Sequence, residues 1–183
     1  LYTQQAYELC RRLEFKNLLG RFDAEAVPEN TIEQNFFVCS ELSGVEALFE
    51  KAARNSMAGI ALIADKNNVY GLGIALEKEE VYYIPAEGLL SGEYLCEKLR
   101  KLGEATVISA MDIKMLLKHV ESLEPERVFD LGIGAYLLNP LKSSYTYEDI
   151  AREYIGGISI PSREELLGKE TYEKAWEKSL SLI

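Results

Sequence analysis

AGIALIADKNNVYGLGIALEKEEVYYI, residues 58–84, is the stretch whose reading decides the fold. Ala58 to Ala64 and Val69 to Leu76 are nearly unbroken apolar runs, and Val81 to Ile84 is a shorter third. Apolar runs of this length between polar joints read as strands. The joints are Asp65-Lys66-Asn67-Asn68 and Glu77-Lys78-Glu79-Glu80, and such short connections imply antiparallel hairpins. Asn67 and Asn68 tolerate the positive φ that a tight turn requires. The stretch predicts a three-stranded meander.

Working outward, Phe36 to Cys39 is a short strand candidate, and Ser43 with Glu46 reads as a capping box opening a helix to Arg54. Upstream, Thr3 to Leu19 has helical spacing of Tyr7, Cys10, Leu13 and Leu18, ended by Gly20. Asp23 to Gln34 is polar, contains Pro28, and reads as a connector. Downstream, the pattern predicts a helix over 91–102, a strand over 105–108 and a helix opened by Ser109 with Asp112. Further helices are predicted over 128–138, 147–154 and 163–180. A β-meander followed by alternating helix and strand is the layout of a ribonuclease H-like mixed sheet flanked by helices, while the period evidence alone gives only an α/β fold in one domain.

Composition narrows the function classes. The chain has 183 residues, is 48% hydrophobic, and suits one domain with a real core. Lys and Arg total 20 against 30 Asp and Glu, a net charge of −10. That balance disfavours tight nucleic-acid binding by this chain alone, because phosphate contacts need clustered cations. Cys10, Cys39 and Cys96 are widely spaced and form no CxxC pair, which argues against zinc and a disulfide framework. No signal peptide or membrane-length apolar run is present, and a reducing cytosol fits best. The chain begins at Leu1, inside a helical pattern, and reads as a piece of something longer.

Several stretches, in order, resemble bacterial DNA polymerase I, a family A DNA polymerase. They are Ala6 to Leu9 with Leu13 to Leu19, Gly73 to Leu76 with Tyr82 to Pro85, Phe129-Asp130 with Ala135 to Pro140, and Tyr147 to Ala151 with Tyr154 to Gly156. The resemblance implies a linker helix and connector over 1–34. It also implies a 3′–5′ exonuclease-like domain over 35–183 whose C-terminal part is truncated. It places the chain between an upstream flap-nuclease domain and a downstream polymerase domain, reaching DNA through the parent protein. The implied setting is the bacterial cytoplasm, at the nucleoid, with no membrane partner.

The family's proofreading chemistry uses carboxylates that hold two metal ions, which activate a water and stabilise the leaving oxygen. Hard cations need oxygen ligands, several of them anionic. The family's first motif, Asp-x-Glu, is matched by Ile63-Ala64-Asp65, so Ile63 replaces one carboxylate and Asp65 is what remains of the other. The second motif, Asn and then Asp four residues on, is matched by Ala110 and Lys114. An ammonium at a cation site repels the metal and donates where an acceptor is needed. The third motif would fall at Tyr172, where Trp176 stands in place of Asp, or beyond Ile183. The resemblance therefore implies a degenerate domain with no catalytic residues, no metal and no cofactor, Mg²⁺ being expected for the parent polymerase.

Plainer roles compete with chemistry at each remaining residue. Asp65 reads as a hairpin residue, Asp112 and Asp130 as helix N-terminal residues, and His119 as a surface group at a helix end. Thr146 and Asp149 form a second capping-box pattern. One of Tyr82 and Tyr83 faces the core, and Trp176 anchors the last helix to the domain or to a neighbour. Two rivals remain: an active two-metal exonuclease drawing on Asp65, Asp112 and Asp130, and a free-standing ribonuclease H-like interaction module.

Overall fold

The computed structural model describes residues 3–13, 15, 36–76, 80–155 and 174 of the chain. The connector over 23–34, most of the helix predicted over 163–180 and the end of the first helix lie outside the described residues. Helix α1 is Gln4–Arg12, and strand β1 is Phe36–Val38. Helix α2, Leu42–Ala52, precedes the meander β2 Met57–Ala64, β3 Val69–Ala75 and β4 Val81–Pro85. Helix α3, Gly92–Ala105, leads to β5 Val107–Ala110 and α4 Ile113–Leu116. Strand β6, Val128–Asp130, leads to α5 Leu131–Leu138, then α6 Tyr147–Ile150 and a wider turn over Ala151–Ile155.

The six strands make one mixed sheet in the order β1-β4-β3-β2-β5-β6. The meander is antiparallel throughout, with Ile60 opposite Ile74 and Leu72 opposite Ile84. Strands β1, β5 and β6 are added in parallel through helical crossovers, β1 on β4 and β5 on β2. The ribonuclease H-like α/β reading of the sequence holds.

Period-2 alternation sends Ala58, Ile60, Leu72, Ile74, Ile84 and Ile108 to one face of the sheet, where all are buried. Helix α2 covers that face with Val45, Leu48, Phe49 and Ala52, and α3 with Leu95, Leu99 and Leu102, both at helical spacing. Tyr82 packs against this cluster, as expected of one of the tyrosine pair. Between the helices, Glu46 accepts from the Tyr94 hydroxyl and the Lys98 ammonium. Burial and that bond to Glu46 push the Tyr94 hydroxyl up to about 12. The folded state thus holds this proton more tightly than the unfolded chain, so the stabilisation is full below pH ~10 and lost as pH rises toward 12. Melting temperatures from pH 8 to 12 should show a shallower alkaline decline in Tyr94→Phe than in wild type.

Four local expectations are corrected. Glu41, not Ser43, occupies the α2 cap position, and it makes no side-chain cap bond; Glu46 is taken by α3 instead. Ser109 lies buried within β5, two positions later than the strand was expected, and Asp112 itself caps α4 by accepting from Met115 N. Residues 128–130 are strand rather than helix, because Val128 and Phe129 pair with Ile108 and Ser109 before Asp130 caps α5. The helix expected over 147–154 is α-helical only to Ile150, then widens. Its capping box is formed by Thr146 and Asp149 in both directions.

Candidate functional site

The four positions matched to the exonuclease motifs fall near the β2–β3 hairpin tip and the β5–α4 junction. Ile63 is half-buried near the end of β2, and Ala110 is buried at the end of β5 rather than on the following helix. Lys114 is exposed on α4. Asp65 follows β2 directly, and His119, beyond α4, brings the two regions together by donating from Nε2 to the Asp65 carbonyl at 2.9 Å. His119 is therefore a half-buried tie between these segments, not the free surface group expected.

The Asp65 carboxylate is occupied by its own turn. Oδ1 accepts from the backbone N–H groups of Asn67 and Asn68, each at 2.8 Å, and Oδ2 accepts from the Tyr70 hydroxyl at 2.7 Å. The strand register passes from Ile63–Gly71 to Ala64–Val69, stepping over Tyr70. Such a bulge re-aims a side chain, and here it accompanies the Tyr70 bond to the turn. The Asn67 N–H, then the Tyr70 hydroxyl and the Asn68 N–H, hold this carboxyl below its usual range. Its contribution to the turn is therefore present at neutral pH and lost as acid protonates it.

The other two carboxylates are also spoken for. Asp112 Oδ1 accepts from Met115 N at 3.1 Å. Asp130 joins two helices: Oδ1 accepts from Ile133 N at 3.0 Å, capping α5, and Oδ2 accepts from Ile113 N at 3.1 Å, at the start of α4. This double role escaped the sequence, since Ile113 lies 17 residues from Asp130. The Asp-Leu pair at a strand-to-helix boundary signals the nearer cap alone.

A divalent cation needs convergent oxygen ligands carrying several negative charges. The matched positions supply one carboxylate, one ammonium and two aliphatic side chains, and that carboxylate already accepts three hydrogen bonds. Among the described residues no three His, Cys, Asp or Glu side chains are grouped to hold a metal ion. This donor set does not fit the two-metal centre that the resemblance associates with exonuclease chemistry. Among the described residues, no helix is long and apolar enough to cross a membrane.

Solved structures share this architecture. The Aedes aegypti Nibbler EXO domain superposes with a TM-score of 0.55 at 14% identity, over 81% of this chain and 83% of that one. Escherichia coli RNase D, an exoribonuclease involved in structured RNA processing, gives 0.54 at 11% identity, over 81% of this chain and 44% of its own. The fold is that of the ribonuclease H-like 3′–5′ exonucleases. The POL domain of Pol1 from M. smegmatis, solved with a DNA primer-template and dNTP, gives 0.54 at 18% identity, over 68% of this chain and 23% of that chain. The chain thus spans most of the Nibbler domain but under half of RNase D and under a quarter of the Pol1 chain. Neither a protein-family model nor a curated protein matches the sequence.

Proposed function

We propose that this chain is a vestigial 3′–5′ exonuclease domain of a bacterial DNA polymerase I, without catalysis of its own. It gives structural support to DNA-templated synthesis in replication and repair, between flap-nuclease and polymerase domains of one cytoplasmic polypeptide. The observation that carries this reading is the state of Asp65. The one carboxylate left at the matched positions is spent on closing a hairpin. The caps made by Asp112 and Asp130 support it further, since the rival active site would need both. The resemblance of Phe129-Asp130 and Ala135 to Pro140 to polymerase I, and the shared fold with the M. smegmatis protein, support the polymerase setting. DNA contact and Mg²⁺ belong, on this reading, to the neighbouring domains.

The reading frame downstream of Ile183 tests the polymerase setting. Sequencing the locus is expected to show the frame continuing into family A polymerase motifs. A stop codon directly after Ile183 would sink that setting and leave a free-standing module.

A further inference from the structure

Strand β1 is the outer strand of the sheet, and among the described residues it pairs with β4 alone. In a parallel pair, alternate residues bond to the neighbouring strand. The Cys39 N–H donates to the Tyr83 carbonyl at 2.8 Å, so by alternation Phe37 also faces β4. The backbone N–H and C=O groups of Phe36 and Val38 therefore point outward, away from the sheet. Phe36 is 50% and Val38 63% exposed. Beside this edge a groove of about 300 Å³ lies between β1 and α2, lined by Phe37, Cys39, Gly44, Leu48, Lys51 and Tyr82 among others. Its walls are largely apolar, and the Phe37 and Tyr82 rings stack within it, 5.3 Å apart between centroids. An open strand edge next to an apolar groove under a helix is a geometry by which sheets take up extended peptides. The edge supplies main-chain hydrogen bonds, and the groove takes a side chain.

We propose that this edge and groove bind an extended cationic peptide of a partner protein. The peptide adds a strand to β1, seats one bulky apolar side chain in the groove, and carries Lys or Arg beside it. The apolar residue answers the groove lining, and the cations answer the charge at its mouth. Lys51, which lines the groove, is neutralised by its ion pair with Glu80 and also donates to the Tyr82 hydroxyl at 3.3 Å. Glu41, two residues beyond Cys39, is exposed and makes no side-chain cap bond. Burial and then the Glu41 charge push the Cys39 thiol up, so this carboxylate stands near the groove that Cys39 lines. The mouth thus keeps one uncompensated negative charge, on a chain whose net charge is −10. Such a field attracts a cationic peptide and repels an acidic one. It also makes a second copy of this chain the poorer occupant, because joining two copies at this edge brings like charges together.

Amide hydrogen exchange of the full chain, read by NMR, tests this directly. Without peptide, the Phe36 and Val38 amides should exchange many-fold faster than the Cys39 amide, which is held by Tyr83. A Lys-Lys-Val-Phe-Val-Lys-Lys peptide, titrated to millimolar concentration, should slow both several-fold and move their signals. The same peptide with every Lys replaced by Glu should bind at least tenfold more weakly, and Glu41→Lys should weaken the cationic peptide several-fold. Val38→Pro removes an outward N–H that the ladder to β4 does not use, so it should abolish binding while the β3 amides stay protected. If the proline variant fails to fold, Glu41→Lys and the acidic peptide decide the matter. Slow exchange of Phe36 and Val38 in the free chain overturns the proposal, since the chain itself then fills the edge. Slow exchange that appears only as protein concentration rises overturns it in favour of a second copy. So does a peptide effect that is absent, falls elsewhere, or is equal for the acidic peptide. None of these outcomes depends on whether a polymerase domain follows.

Discussion

Asp130→Ala is expected to destabilise the domain by about 2–3 kcal/mol, because one side chain holds two helix starts. Each lost cap contact to a backbone N–H costs roughly 1 kcal/mol, and somewhat more where the N–H is left without a replacement acceptor. Asp130 is half-buried, so water replaces it poorly at the Ile113 N–H, which itself sits on a buried residue. In urea denaturation the midpoint should fall while the slope stays constant. Asp130→Asn should recover about half of the loss, since an amide oxygen can accept from one of the two N–H groups but its NH₂ cannot accept from the other. Asp112→Ala, which removes a single exposed cap, should cost about 1 kcal/mol. The series separates two roles for Asp130. A metal-binding carboxylate removed from a cluster of like charges would leave stability unchanged or raised; a shared cap must lower it.

Gly71→Val should be comparably damaging, for a steric reason. A Cβ at this position would stand 2.7 Å from Tyr83 Cε2, 2.8 Å from the Tyr83 hydroxyl oxygen and 3.0 Å from the Ile84 carbonyl oxygen. The tyrosine ring could swing away, but the carbonyl is fixed in the β3–β4 ladder. Val favours strands in general, yet overpacking of this kind typically costs about 1–3 kcal/mol, and β-branching places the loss toward the upper end. Tyr83→Phe in the same background should restore little, because it removes only one of the three clashes. Thermal denaturation of the single and double variants checks this directly.

The meander was legible because its apolar runs have strand length and its joints are polar and short. The Asp65 to Asn68 turn was legible for the same reason, but neither Asn67 nor Asn68 takes the positive φ expected there; the turn is closed instead by the Asp65 carboxylate accepting from their backbone N–H groups. The register step that accompanies the Tyr70 bond to Asp65 depends on how two strands pair, not on either strand alone. Residues 128–130 were misread as helix because three residues are too few to show a period, and their strand state comes from pairing with β5. Ser109 was misread as a cap because a serine ahead of an aspartate looks alike in a strand and at a helix start. The tie from His119 to the Asp65 carbonyl spans 54 residues and leaves no local trace. The reading of Ile63, Ala110 and Lys114 as degenerate positions comes from resemblance to a family, and among the matched positions the geometry bears on Asp65 alone.

On the proposed reading the domain keeps an exonuclease fold and has given up the carboxylate chemistry, so the direct measurement is hydrolysis itself. A 5′-labelled single-stranded DNA should keep its full length when incubated with this chain across a titration of Mg²⁺ or Mn²⁺. Asp65→Ala should look identical in that assay while lowering thermal stability. Metal-dependent shortening from the 3′ end, abolished by Asp65→Ala in a protein that remains folded, would contradict the account.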